Sequence, residues 1–221
     1  MSQTNITRLL EAVEAHVVFD GWSDTAFAAA VEDSGLSMDE ARLACPRGAV
    51  DLAVAYHKAG DVEMSRRLAE IDLGAKRYRD RVALAIQFRL EVVDREMVRR
   101  GMTLFSLPHM APEGARLMWG TADAIWAALG DTSQDYNWYS KRAILSGVYG
   151  SCVLYWLGDE TGGEATTAFI DRRIDDVMQF EKFKGQMRAN PVTAPLAKGV
   201  ERLLAGIKAP GTPPTDLPGR W

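Results

Sequence analysis

Side chains able to do covalent or metal chemistry are few and scattered. The three histidines, His16, His57 and His109, have no second histidine or cysteine at i+3 or i+4 and no glutamate three residues before them. That spacing supplies neither a helical metal pair nor the Glu-x-x-His of di-iron bundles. Each histidine is expected at the surface or at a helix end. No G-x-S-x-G elbow, P-loop or G-x-G-x-x-G turn occurs. Cys45 and Cys152 form no C-x-x-C and read as reduced core thiols. No catalytic role and no cofactor are expected. What remains is the chemistry of contact. The stretch from Asp135 to Arg142 places Trp138 and Tyr139 beside Lys141 and Arg142, an aromatic pair next to arginine of the kind that anchors interfaces. Trp138 and Tyr139 fall in the first turn of a helix capped by Ser133 or Asp135, and the cations follow near the positive end of its dipole, where each costs about 0.3–1 kcal/mol. Two readings stand at this point: Trp138 tucked into the core with Arg142 paired to Asp135, or an exposed contact surface.

The elements that would position this stretch are helical. No run of alternating β-branched residues with hairpin turns appears, and an all-α fold of about ten helices is predicted. With 221 residues, 47% hydrophobic and 25% charged, the chain has ample material for a core. The first helix is predicted from about Asn5 to Ala15, followed by a loop through Trp22. Ser23 or Asp24 caps the second, Gly35 ends it, and Ser37–Glu40 is a capping box opening a short third helix. Together these make a helix-turn-helix over residues 1–60. A fourth helix is predicted from Pro46 to Gly60 and a fifth from Asp61. A long sixth runs from about Ala75 to Arg100, where Arg77, Arg79, Arg81, Arg89, Arg95, Arg99 and Arg100 alternate with acids as a solvated, ion-paired face. Gly101 is expected to break it. The seventh spans Glu113 to Leu129, the eighth is the apolar helix carrying Cys152, and the ninth runs from Glu164 to Phe183.

Charge excludes nucleic acid as a partner. Residues 1–60 carry four basic and nine acidic side chains, net −5, and the helix placed for recognition opens with Asp39 and Glu40. DNA affinity rests largely on lysine and arginine meeting phosphates. The longest uncharged run, Ala143 to Gly158, is too short to span a bilayer. After the main helical domain, residues 61–184, a linker is read over 185–195. Residues 196–208 then place Leu196, Val200, Leu203, Leu204 and Ile207 within one apolar arc, opposite Lys198 and Arg202. Such a helix either packs on its own domain or on a second copy, or lies on a membrane surface. Residues 209–221 are proline-rich and read as a disordered tail.

The block Gly130–Leu145, with its Asn137-Trp138-Tyr139-x-Lys141-Arg142 core, closely resembles the signature of the Coq-nine family of ubiquinone biosynthesis accessory proteins. Val17–Trp22, Gly48–Leu52 and Thr167–Ile174 resemble the family too, so the likeness spans most of residues 5–184. The short form of the chain points to a bacterial member that is cytoplasmic and peripherally attached to the inner membrane. The resemblance implies a TetR-like all-α fold and a homodimer. It implies a hydrophobic site for an isoprenoid quinone intermediate, and a C-terminal helix that touches the membrane. It also implies a surface patch of Asp135, Trp138, Tyr139 and Arg142 that engages the quinone-pathway hydroxylase, which favours the exposed reading of Trp138. For the lipid site the apolar candidates are Met118, Trp119, Ile125, Trp126, Leu145, Tyr149 and Tyr155. The competing class is a ligand-responsive transcription regulator of TetR type.

Overall fold

The structure, a computed structural model, describes residues 2–189 and 206–210. Among these residues there are nine α-helices and no strand. They are α1 (Ser2–Asp20), α2 (Asp24–Ser34), α3 (Met38–Ala44), α4 (Ala49–Ala69), α5 (Tyr78–Glu91), α6 (Arg95–Phe105), α7 (Ala111–Ala128), α8 (Tyr136–Leu157) and α9 (Glu164–Ala189). The all-α expectation holds.

Local chemistry sets several of these bounds. Ser23 Oγ accepts from the Ala26 N–H at 3.2 Å to start α2, and Gly35 closes it in the left-handed region at φ 66°. Lacking a Cβ, glycine takes that conformation without strain. Ser37 and Glu40 satisfy each other's backbone N–H groups, the full capping box predicted for α3. The first helix is longer than predicted and takes in most of the expected loop, stopping at Gly21.

Two breaks fall elsewhere than predicted. No helix ends at Gly60; α4 runs through it. A Cβ there would stand 2.7 Å from Nη1 of Arg89, so the glycine makes room for a side chain rather than a turn. The long sixth helix is two helices. Asp94 interrupts it and caps α6, its carboxylate accepting from Glu96 N–H at 2.8 Å and Met97 N–H at 2.9 Å, while Tyr56 Oη accepts the Asp94 N–H. Gly101 lies inside α6. Helix α9 continues to Ala189, through the start of the expected linker.

The core has two parts joined by α4. Leu9, Val13, Phe27, Leu52 and Met97 are buried among α1–α4 and α6. Met64, Leu68, Ile86, Ile125, Tyr149 and Ile170 are buried among α4, α5, α7, α8 and α9. Full burial of a Phe, Leu, Ile or Met side chain contributes about 1.5–3 kcal/mol, so both parts are substantial. The residue-60 boundary predicted between subdomains falls inside α4, a helix that serves both. Of the predicted membrane-facing residues, Leu196, Val200, Leu203 and Leu204 lie outside the described residues, as does most of the predicted tail. Ile207 is described and lies beside Ser133, Gln134 and Asp135.

Candidate apolar cavity and the turn before α8

The turn into α8 is built around a buried carboxylate. Gly130, at φ 76°, reverses the chain after α7. Asp135 caps α8, accepting the Asn137 N–H at 3.0 Å, while Ser133 instead donates to Asp131 at 2.8 Å. Asp131, with its side chain 3% exposed, takes Lys141 Nζ at 2.7 Å and Arg142 Nη1 at 3.2 Å. Burial opposes ionisation of Asp131, yet hydrogen bonds from Lys141, Ser133 and Arg142 hold its carboxyl below the usual range. This answers the misplaced cations near the start of α8: they neutralise an acid folded beneath it.

Arg142 therefore departs from expectation twice. It is buried, 4% exposed, rather than part of a surface patch, and its partners are Asp123 at 2.6 Å and Asp131, not Asp135. It also donates to the Trp138 carbonyl and lies over the Trp138 ring, 3.9 Å from its centroid. Trp138 is half-buried, edge-on to Tyr139 at 4.8 Å and tilted against Trp119 at 5.9 Å. Asp135 and Tyr139 are exposed. Residues 206–210 approach this surface: the Ala209 N–H donates to Gln134 O at 3.0 Å and Tyr139 Oη donates to Lys208 O at 3.3 Å.

Two half-enclosed apolar cavities lie among the helices. The first, about 250 Å³, sits between α4, α5, α6, α7 and α8, walled by Trp22, Met97, Met102, Phe105, Met118 and Val153, with His57, Arg89 and Tyr149 contributing polar atoms. The second, about 240 Å³, lies between α5, α7, α8 and α9, walled by Tyr78, Val82, Trp126, Leu145, Ile174 and Met178. The seven apolar candidates are not brought together. Met118 and Tyr149 line the first cavity, Trp126 and Leu145 the second. Ile125 is fully buried in the core, Trp119 packs on Trp138 and Tyr139, and Tyr155 stacks on Phe169 at 4.2 Å. An apolar helix offers several faces, and composition alone does not say which face meets which space.

The polar wall of the first cavity was missed. Arg89 is 1% exposed, not on a solvated face. Its Nε donates to Asp61 Oδ1 at 2.7 Å and its Nη2 to the His57 carbonyl at 3.0 Å. Thr121 Oγ1 donates to the same Asp61 oxygen at 2.8 Å and meets His57 Nε2 at 2.8 Å. Burial, then the Arg89 charge, pushes His57 down to about 4, so it is neutral at pH 7. His57 is thus neither a surface nor a helix-end histidine. One signal was available: Arg89 is three residues after Ile86 on the stripe Val82, Ile86, Val93. Burial pushes the Cys45 and Cys152 thiols up to about 11, as inert core thiols require. Among the described residues no group of His, Cys, Asp and Glu could hold a metal ion, and no helix is long and apolar enough to cross a membrane.

Residues 111–181, which contain this turn and one wall of each cavity, match the COQ9 family model. The human mitochondrial ubiquinone biosynthesis protein COQ9 is 29% identical over 194 residues, covering 83% of this chain and 59% of that protein. The probable mitochondrial ubiquinone biosynthesis protein coq9 of Dictyostelium discoideum is 26% identical over 189 residues, covering 81% and 62%. The chain spans about 60% of the length of these curated relatives. Among solved structures, a TetR transcriptional regulator from Nitrosomonas europaea superposes with a TM-score of 0.62 at 16% identity, covering 77% of this chain and 95% of that one. The fold is TetR-like.

Proposed function

We propose, for a chain that carries a COQ9-family domain over residues 111–181, a non-catalytic role in ubiquinone biosynthesis: it binds an isoprenoid quinone intermediate and presents it to the pathway hydroxylase at the membrane. The observation that carries this reading is the first cavity, about 250 Å³ of space walled mostly by apolar side chains. A dry cavity of about 150 Å³ accommodates benzene, so this one accepts a ring or a short part of an isoprenoid tail. Each CH₂ moved from water to such a place is worth about 0.8 kcal/mol. Transfer from lipid, already apolar, proceeds at little net cost. The neutral state of His57 adds no second charge to the wall beside the Arg89–Asp61 pair.

Docking of the hydroxylase falls to the exposed remainder of the patch, Asp135, Tyr139 and the outer edge of Trp138. Arg142 serves this surface from beneath by fixing the Trp138 ring. Residues 196–208, two-faced in sequence, would hold the protein at the bilayer, and two copies would act together. The regulator alternative is opposed by α3, whose exposed Asp39 and Glu40 would face phosphates.

The test is lipid extraction and mass spectrometry of the purified protein. A polyisoprenoid quinone or its precursor is expected in near-stoichiometric amount with wild type and at least about tenfold less with Met118→Trp, which fills the first cavity. Wild-type protein free of lipid from a quinone-replete host would sink the lipid-binding reading.

A further inference from the structure

We propose that the corner between α6 and α7, residues 106–110, dips into the bilayer and is the port through which the ligand passes between lipid and the first cavity. This rests on the lipid-binding reading and adds a membrane contact separate from residues 196–208.

The wall of the cavity shows where it opens. Of its lining residues only Ser106, Ala111 and Ala115 are exposed. All three lie just after α6 or in the first turns of α7, so the open end faces the corner. The chain there reads Leu107-Pro108-His109-Met110-Ala111-Pro112, with His109 its only polar side chain. Loops that face water are ordinarily polar, yet Leu107, Pro108, Ala111 and Pro112 are all exposed. Irregular backbone is usually barred from lipid because each unmet polar group is costly there. In this corner the Ser106 N–H donates to Met102 O, the Leu107 N–H to Leu104 O, and the Met110 and Ala111 N–H groups both to Leu107 O. Ser106 Oγ donates to Thr103 O, and Pro108 and Pro112 have no N–H to satisfy.

Size and charge select a bilayer as what meets this corner. A stable protein interface needs roughly 20–30 residues a side, whereas the corner is one short loop with a single large exposed apolar side chain, Leu107. Shallow insertion of a few apolar groups at the head-group boundary asks for no more than that. The ligand points the same way, since a polyisoprenoid resides in lipid and a port that serves it has to meet lipid. Arg116, next to Ala115, is exposed and makes no ion pair among the described residues, so its charge is open to anionic head groups. Glu113, the acid closest to the corner along α7, is already paired with Arg47 at 3.2 Å. Helix α7, about 27 Å long, runs from this corner to the turn before α8. Lying along the bilayer, it sets the port and the hydroxylase patch at one surface.

The experiment places a nitrobenzoxadiazole dye at one position of the full chain. Cys45 and Cys152 are buried, with thiols pushed up to about 11, and stay unlabelled at neutral pH. Leu107→Cys therefore carries the dye alone, and Val62→Cys, on α4 and more exposed than Leu107, is the control. With phosphatidylcholine–phosphatidylglycerol vesicles, the dye at 107 is expected to shift to the blue and to be quenched by nitroxide on the acyl chains, and the dye at 62 to do neither. In a second arm, Leu107→Asp leaves every lining residue of the cavity in place. It is expected to slow uptake of decaprenyl ubiquinone from the vesicles at least about tenfold and to leave binding from detergent solution unchanged. Vesicle-bound protein whose dye at 107 stays in water, or dyes that shift equally at 107 and 62, would overturn the proposal and leave lipid binding intact. Unchanged uptake by Leu107→Asp would do the same. A blue shift at 107 without vesicles, growing with protein concentration or on adding the hydroxylase, would overturn it by giving the corner to a protein partner. Failure of wild type to take up the quinone from vesicles or from detergent would remove the lipid-binding reading as well.

Discussion

The turn before α8 and the wall of the first cavity are each built on an arginine out of reach of water, and the two are finished differently. Arg142 has two carboxylates, the Trp138 carbonyl and the Trp138 ring face. Arg89 has one carboxylate, one carbonyl and an N–H group left over. A guanidinium surrounded on every side is a fastener. In Arg89 the remaining Nη1 is shut in against Gly60, whose missing side chain leaves it room. The lesson is that burial alone does not say how completely a charged side chain is satisfied; the groups that other helices bring to it do.

The largest expected effect tests the first half of this contrast. Arg142→Ala leaves Asp131, 3% exposed, with Lys141 and Ser133 alone, and removing one partner of a buried pair costs about 3–5 kcal/mol. Urea denaturation is expected to show a loss of that order. A change below about 0.5 kcal/mol would return Arg142 to the exposed patch that the sequence suggested.

Next comes pH. His57 titrates at 6.5 in an unfolded chain and at about 4 here. The unfolded state therefore binds the extra proton first as pH falls. Stability from this group is fully present above pH 6.5 and is lost progressively down to about pH 4, on the order of 3–4 kcal/mol in all. His57→Gln is expected to flatten the pH dependence of chemical denaturation within that window. An unchanged slope would mean that His57 is protonated in the folded protein, and the Arg89 wall would then carry a second positive charge.

A smaller effect sharpens the account of Arg89. Glycine to alanine inside a helix ordinarily stabilises by about 1 kcal/mol. At Gly60 the new methyl meets Nη1 at 2.7 Å, so a net loss of about 1–2 kcal/mol is expected in thermal melts. A gain in stability would show that the guanidinium moves aside freely and is not held. The smallest effect belongs to the other region. Tyr139→Phe removes an exposed 3.3 Å hydrogen bond to Lys208 O, and a change within about 0.5 kcal/mol is expected. A larger loss would mean that residues 206–210 brace the turn and do not merely rest on it.

Several features could be read from the chain. The capping box of Ser37 and Glu40, the Gly35 stop and the Asp135 cap were legible because a cap depends on residues three or four positions apart. The chemical character of the Asp135–Arg142 stretch was legible in the same way, and so was the resemblance it carries. Gly60 was misread because helix breaking is glycine's usual meaning, whereas here the absent side chain serves a neighbour from another helix. Asp94 was missed as a break because an acidic residue within a charged helix gives no sign that it will cap a new one. The seven apolar candidates were scattered over two cavities, the core and, for Trp119 and Tyr155, aromatic contacts nearer the surface, because periodicity marks a buried face without naming its partner.

By itself, then, the sequence determined an all-α chain, the helix ends that local hydrogen bonds fix, and an acidic helix-turn-helix unsuited to phosphates. The tertiary structure decided which of the many arginines were withdrawn from water. Arg89 meets Asp61 across 28 residues of chain and Arg142 meets Asp123 across 19. Whether a charged side chain is a solvated ornament, a fastener or a binding group depends on atoms brought to it by other helices, and such long-range contacts leave no periodic trace in the sequence.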